Sequence, residues 1–333
     1  MTRRKRVQPP ADKNAHVTTF LSYYASLPHS PHYAVMINGP WGVGKTYLVK
    51  QFLQGRRQAG KKPVYVSLYG LKTLDEIDEA LFQALYPALG WKITKLGLRV
   101  SKTLLKRFGV EPNLKPGEVI DKFSADIYVF DDLERSESPI NQVMGYINEF
   151  VEHDGGKVVV IGNETEITDP KYRERREKLI GKALTVQSAF EDAFKHFVSL
   201  IDFQPARKFF EASSSEIASI YQESGLNNLR ILQQTMWDFE RLFQAVTSEQ
   251  RKNRGTMLAL LRLFFALSFE LKAGRISAAD LSGRPNPLMR AAHRAAREGK
   301  SETPASPLTE ADRRYPEIEL SDTILSDDVL AGC

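Results

Sequence analysis

Apolar residues recur along this chain in two rhythms. Five short β-rich runs come first: Tyr33-Ala34-Val35-Met36-Ile37, then 64–69 between Pro63 and Gly70, 126–130, 157–161, and the weaker 183–186. Each has the length of a buried strand. Between them, LDEIDEALFQALY (74–86) and NQVMGYINEFVEH (141–153) place apolar residues three and four apart, as do Leu48, Val49, Phe52 and Leu53. That spacing predicts helices. Alternating strands and helices imply an α/β fold, a three-layer parallel sheet covered on both faces. From about residue 205 only the helical rhythm remains, in 210–225, 227–246 and 256–274, which predicts an all-helical second domain. From 283 to about 315 the composition turns to Gly, Pro, Ser and scattered charge and reads as a linker. The closing ELSDTILSDDVLAGC has too few apolar residues for a core of its own, so it docks elsewhere or the chain has been cut short. The expected division is a basic tail 1–14, a core 15–204, a helical domain 205–282, and a linker with acidic tail 283–333.

The first strand runs into a glycine-rich turn, INGPWGVGKTYLVKQFL (37–53), and then a helix. Gly39, four residues, and then Gly44-Lys45-Thr46 form the spacing of a phosphate-binding loop. Glycines let successive backbone N–H groups turn inward around a phosphate, and the following helix N-terminus adds its dipole. Gly39, Pro40, Trp41, Gly42, Val43, Gly44, Lys45, Thr46 and Tyr47 are therefore the candidate nucleotide contacts. Lys45 is suited to the β- and γ-phosphates and the Thr46 hydroxyl to Mg²⁺. ATP and Mg²⁺ are the expected ligands. No Asn-Lys-x-Asp guanine reader occurs anywhere in the chain, which argues against GTP.

A loop of this kind needs a carboxylate on a neighbouring strand. The run IYVF ends in Asp131-Asp132-Leu133-Glu134-Arg135. Asp131 is assigned to the metal and Asp132 to orienting and polarising an attacking water, with Glu134 as its rival. A carboxylate in that second role favours hydrolysis over simple retention. Asn163, after VVVIG, is placed to bridge water and γ-phosphate, and a polar residue there marks the additional-strand class of P-loop NTPases.

Composition adds limits. The 333 residues carry a net charge of +5 and a single cysteine, Cys333, so no intrachain disulfide forms. No stretch approaches the roughly 18 apolar residues of a membrane span. MLALLRLFFALSF is interrupted by Arg262 and reads as a core helix. The N-terminus lacks the apolar region of a secretory signal, so the cytoplasm is expected. Residues 91–110 hold six basic residues and no acid. Lys92, Lys95, Arg99, Lys102 and Lys106 share one helical face, which suits a peripheral membrane, a nucleic acid or a partner, or simply a solvated surface.

INGPWGVGKTYLVK, VFDDLERS, GYINEFVEHDGGKVVVIGNETEI and YRERREKLIGKALTV together resemble the KAP family of P-loop NTPases, over roughly residues 15–270. Trp41 and the DDLER string are the most specific parts. The resemblance implies an ATPase core with a helical lid, near the AAA+ and STAND switch ATPases, and several bacterial members act in phage exclusion or defence. Family members commonly insert membrane helices between the two nucleotide motifs. This chain has the basic stretch there instead, and Glu134 stands where Asp is usual. Related ATPases place arginine fingers near Arg176 and Lys178 and a second sensor near Arg230, while Arg135 directly follows the acidic cluster. A finger acting across subunits implies a homo-oligomer, and switch ATPases imply an effector or sensor partner. The leading expectation is a Mg²⁺-dependent switch or assembly ATPase of a defence or signalling system. The alternatives are a small-molecule kinase with KYRERREK as phosphate clamp, or an ATP-binding scaffold that hardly hydrolyses.

Overall fold

The computed structural model describes residues 13–85, 125–152, 156–282, 307–322 and 324. The tail before residue 13, the basic stretch 91–110 and the linker from 283 to 306 lie outside the described residues. The chain divides into two compact units, Met1–Gln187 and Ser188–Cys333.

The first unit is a five-stranded parallel sheet: β1 Ala34–Asn38, β2 Pro63–Ser67, β3 Ile127–Asp131, β4 Val158–Gly162 and β5 Ile180–Thr185. Their spatial order is β2-β3-β4-β1-β5. The weakest sequence signal became the longest strand, with β5 beginning at Ile180 rather than at Ala183. Strand residues alternate between two cores. Ala34, Met36, Tyr128, Phe130, Val158 and Val160 pack under α3 (Leu74–Leu85), α4 (Ile140–Glu152) and α5 (Tyr172–Leu179). Val35, Ile37, Ile127, Val129, Val159 and Ile161 face α1 (Ala15–Ser26) and α2 (Lys45–Gln58). Near-continuous apolar runs are what a strand buried on both faces requires.

Sheet order and register position the chemistry. β4 lies between the phosphate-loop strand β1 and the acidic strand β3, and is the additional strand that gives the class its name. Pairing sets Asn38 beside Gly162 and Ser67 beside Asp131, so the carboxyl ends of four strands finish together. Ligands of open parallel sheets bind at those ends.

The second unit is helical among the described residues: α6 Phe190–Ser199, α7 Gln204–Ala212, α8 Ser214–Glu223, α9 Leu229–Ala245, α10 Ser248–Arg251, α11 Arg254–Lys272, α12 Ala278–Ser282 and α13 Pro307–Arg314. Phe210, Phe239, Phe243, Phe264, Phe265 and Phe269 are buried together at its centre. α11 is buried around most of its circumference, and Arg262 reaches Glu216 at 2.6 Å. No helix of the described residues is long and apolar enough to cross a membrane.

Three further boundaries differ from the sequence reading. The unit starts at Ser188, ahead of residue 205, because Phe194, Val198 and Ile201 belong to its core. The helix expected over 210–225 breaks at Ser213, whose φ of −113° and ψ of 15° leave the helical region. Serine runs compete with helix in this way. Residues 307–315 are no linker. Ala311, Tyr315 and Leu320 are buried in the second core. Glu270, fully buried, accepts from Arg314 at 2.6 Å, Tyr315 at 3.0 Å and Arg275 at 3.1 Å. Arg314→Ala removes one of two cations from a buried carboxylate and is expected to cost about 1–3 kcal/mol. Arg313→Ala, exposed on the same helix, is expected to leave the urea midpoint in place.

Candidate functional site

The loop leaves β1 at Gly39 and enters α2 at Lys45. Gly39 is confined: a Cβ there would lie 3.1 Å from Val43 Cγ1 and 3.3 Å from the Val186 carbonyl. Gly44 caps α2 in a left-handed conformation, φ 105°, which a side chain would strain. Val43 is buried and anchors the loop, whereas Trp41 and Tyr47 are exposed. Tyr47 accepts from Gln51 on the helix surface at 2.5 Å.

Lys45 is buried, its Nζ donating to the carbonyls of Gly39 (2.5 Å) and Pro40 (3.0 Å). Burial lowers the pKa of the ammonium, and the charges of Glu134, Asp131 and Asp132 oppose that shift. Three carboxylates around one amine keep a cation inside the loop, where a phosphate would need it.

Asp131, 1% exposed, is the centre of the site. Its Oδ2 accepts from Thr46 Oγ1 at 2.7 Å and from Tyr65 OH at 2.8 Å, while Oδ1 accepts from the Asp132 amide at 2.7 Å. Burial raises its pKa and the two hydroxyl bonds pull it back. Tyr65 has its own pKa raised by burial and by the Asp131 charge, so it remains a donor at neutral pH. Thr46 and Asp131 form a set of hard oxygen donors, which suits Mg²⁺. Among the described residues no cluster of three or more His, Cys, Asp or Glu could hold a metal ion.

Asp132 sits in the left-handed region at φ 59° and ψ 42°, and its Oδ2 accepts from Ser67 Oγ at 2.8 Å. Its carboxylate is thereby held at the β2 side of the site. Glu134 accepts from the Trp41 indole N–H at 2.6 Å. The Arg135 guanidinium lies 5.2 Å over Trp41 and 5.1 Å over Tyr69, stacked between the two rings. Asn163 is buried at the β4 end and accepts from Thr165 Oγ1 at 2.7 Å. The Glu164 amide donates to Asn38 Oδ1 at 3.0 Å, tying β4 to β1.

Lys45, Thr46, Asp131, Asp132, Glu134 and Asn163 thus all lie at the carboxyl ends of β1, β3 and β4. The basic candidates fare differently. Arg176 is paired with Glu164, which also accepts from Tyr172 at 2.9 Å, and Lys178 reaches Glu174 at 3.3 Å. Arg230 is exposed in the first turn of α9, on the second unit, its amide capped by Asn228. Sequence reasoning missed Tyr65 and Ser67. The only sequence signal for them is alternation along β2 once that strand is set beside β3.

Tyr65→Phe removes a charge-assisted hydrogen bond from Asp131 while keeping the ring. Such second-layer losses typically cost 10- to 100-fold in metal affinity. Titration of Mg²⁺ against nucleotide-bound protein is expected to show a weakening in that range, with nucleotide affinity in EDTA little changed.

The model of the KAP family P-loop domain matches residues 14–123. The sequence resemblance ran further, to about residue 270. No curated protein matches the chain. Among solved structures, domain III of the replication initiation protein DnaA from Thermotoga maritima is similar with a TM-score of 0.38 and 16% identity, over 74% of this chain and 91% of that one. Drosophila ORC bound to DNA gives a TM-score of 0.38 and 16% identity over 79% of this chain, which spans 64% of its length. The match to the KAP family P-loop domain covers the segment that carries α1, β1, the phosphate loop and β2.

Proposed function

We propose that the chain is a Mg²⁺-dependent ATPase whose nucleotide state drives a switch or an assembly. The observation that carries this reading is the pair of adjacent carboxylates at the end of β3, held apart in two different ways. Asp131 is buried and anchored to the phosphate loop through Thr46. Asp132 is turned away by its left-handed backbone and held by Ser67. A nucleotide-retaining site needs the first; the second has a use in hydrolysis.

Roles follow from the side chains. Thr46 and Asp131 hold Mg²⁺, which when bound neutralises charge developing on the β- and γ-phosphates. Lys45 releases its two loop carbonyls to meet the phosphates. Asp132 orients the attacking water, and Asn163 bridges between water and γ-phosphate. Catalysis is then positioning and charge neutralisation.

Arg230 stands as the candidate second sensor that the family resemblance implies. Arg176, already paired with the largely buried Glu164, is poorly suited to clamp a phosphate. That weakens the kinase alternative. A homo-oligomer in the cytoplasm, with an effector or sensor protein and a surface contact through residues 91–110, completes the proposal. The defence setting comes from the family resemblance.

Phosphate release from ATP by the purified chain is the test, beside Lys45→Ala and Asp132→Asn and over a range of protein concentrations. Both variants are expected to lose at least about 100-fold in turnover, a size typical of lost transition-state contacts. Asp132→Asn is expected to retain nucleotide. Tight ATP binding without turnover at any concentration would replace this reading with the scaffold.

A further inference from the structure

The phosphate loop is attached to the β3 turn at a second place, away from the metal carboxylate. Trp41, at the crest of the loop, donates its indole N–H to Glu134 Oε1 at 2.6 Å across 93 positions of sequence. The face of the same ring is covered by the Arg135 guanidinium at 5.2 Å, and Arg135 rests in turn on Tyr69 at 5.1 Å. An indole 42% exposed is therefore fixed at its edge and on its face by two consecutive residues of one turn. Charge-assisted hydrogen bonds and cation–π contacts are among the stronger fixings available to an exposed ring.

The other carboxylate oxygen of Glu134 completes the picture. Oε2 is buried and has no hydrogen-bond partner among the described residues. It lies against the end of β4, 3.0 Å from where a Cβ on Gly162 would stand, a place also lined by Met36 and Leu133. A general base must reach a water. One oxygen of Glu134 is occupied by the loop and the other is buried beside Gly162. Asp132 has a half-buried carboxylate held by a single serine hydroxyl.

We infer that Trp41 and Glu134 form a brace that holds the phosphate loop to the β3 turn, so that Glu134 is a positioning residue and Asp132 alone polarises water. The brace joins loop movement to the turn that carries Asp132. This inference rests on the proposed ATPase reading for its kinetic readout only. The contact itself is read without nucleotide.

The experiment is a double-mutant cycle with a conservative rescue, in a Trp91→Phe/Trp237→Phe background that leaves Trp41 as the sole tryptophan. Trp41→Phe and Glu134→Ala are each expected to weaken fluorescent ATP-analogue binding about ten-fold. The double variant should fall within about two-fold of either, because the second change finds the brace already broken. Glu134→Gln keeps an acceptor for the indole and is expected to lower turnover only two- to three-fold, with thermal midpoints of all variants recorded as a folding control. Without nucleotide, Trp41 emission should shift in Glu134→Ala and not in Glu134→Gln. Two kinetic or binding results overturn the brace: single effects that multiply in the double variant, or Glu134→Gln abolishing turnover while binding is intact, which would make Glu134 the base. Absent turnover in the parent protein would count against the ATPase reading, while an unshifted Trp41 emission in Glu134→Ala would count against the brace.

Discussion

The buried carboxylate of Asp131 is the constraint on which this site depends. A carboxylate at 1% exposure is costly unless its lone pairs are satisfied. Here the satisfying groups come from three places: Thr46 at the start of α2, Tyr65 on β2, and the amide of Asp132. Meeting that demand fixes the phosphate loop against β3 although β4 lies between their strands. It also requires β2 to pair with β3 in the register that sets Ser67 beside Asp131. Sheet order, loop position and the hydroxyls around Asp131 are thus parts of one arrangement.

The site is held in place by stability that lies elsewhere. Around it are several unfavourable features: a buried ammonium at Lys45, a left-handed Asp132, and an unpartnered oxygen on Glu134. Left-handed conformations and unpartnered buried groups each cost on the order of 1–3 kcal/mol. The sheet offsets this with two cores fed by alternating residues of β1, β3 and β4. Local strain concentrated where ligands bind, on a well-packed scaffold, is the usual distribution in proteins. The second unit has a different character. Its phenylalanine core and the carboxylate of Glu270 hold the late segment 307–320 in place.

Much of this was legible in the sequence because it is local. The phosphate loop announces itself by glycine spacing, and Asp131 by a charge at the end of an apolar run. The strands read correctly because burial on both faces demands uninterrupted β-formers. What escaped depends on pairing between distant segments. Tyr65 looks like any aromatic in a strand until β2 is laid beside β3. Trp41 and Glu134 were each noticed, but nothing in the sequence says that they touch. Residues 307–315 read as a linker because their helix has little apolar surface of its own. Arg314 and Tyr315 gain meaning only from Glu270, 44 and 45 positions earlier.

The measurement closest to the central claim is electron paramagnetic resonance of Mn²⁺, used as a substitute for Mg²⁺, titrated into the full chain with and without ATP. The account predicts one tightly bound Mn²⁺ per chain that requires ATP, keeps its stoichiometry in Asp132→Asn, and is lost in both Thr46→Ala and Asp131→Ala. ATP binding with equal affinity in the presence and absence of divalent ion, or Mn²⁺ bound equally well by Asp131→Ala, would contradict it.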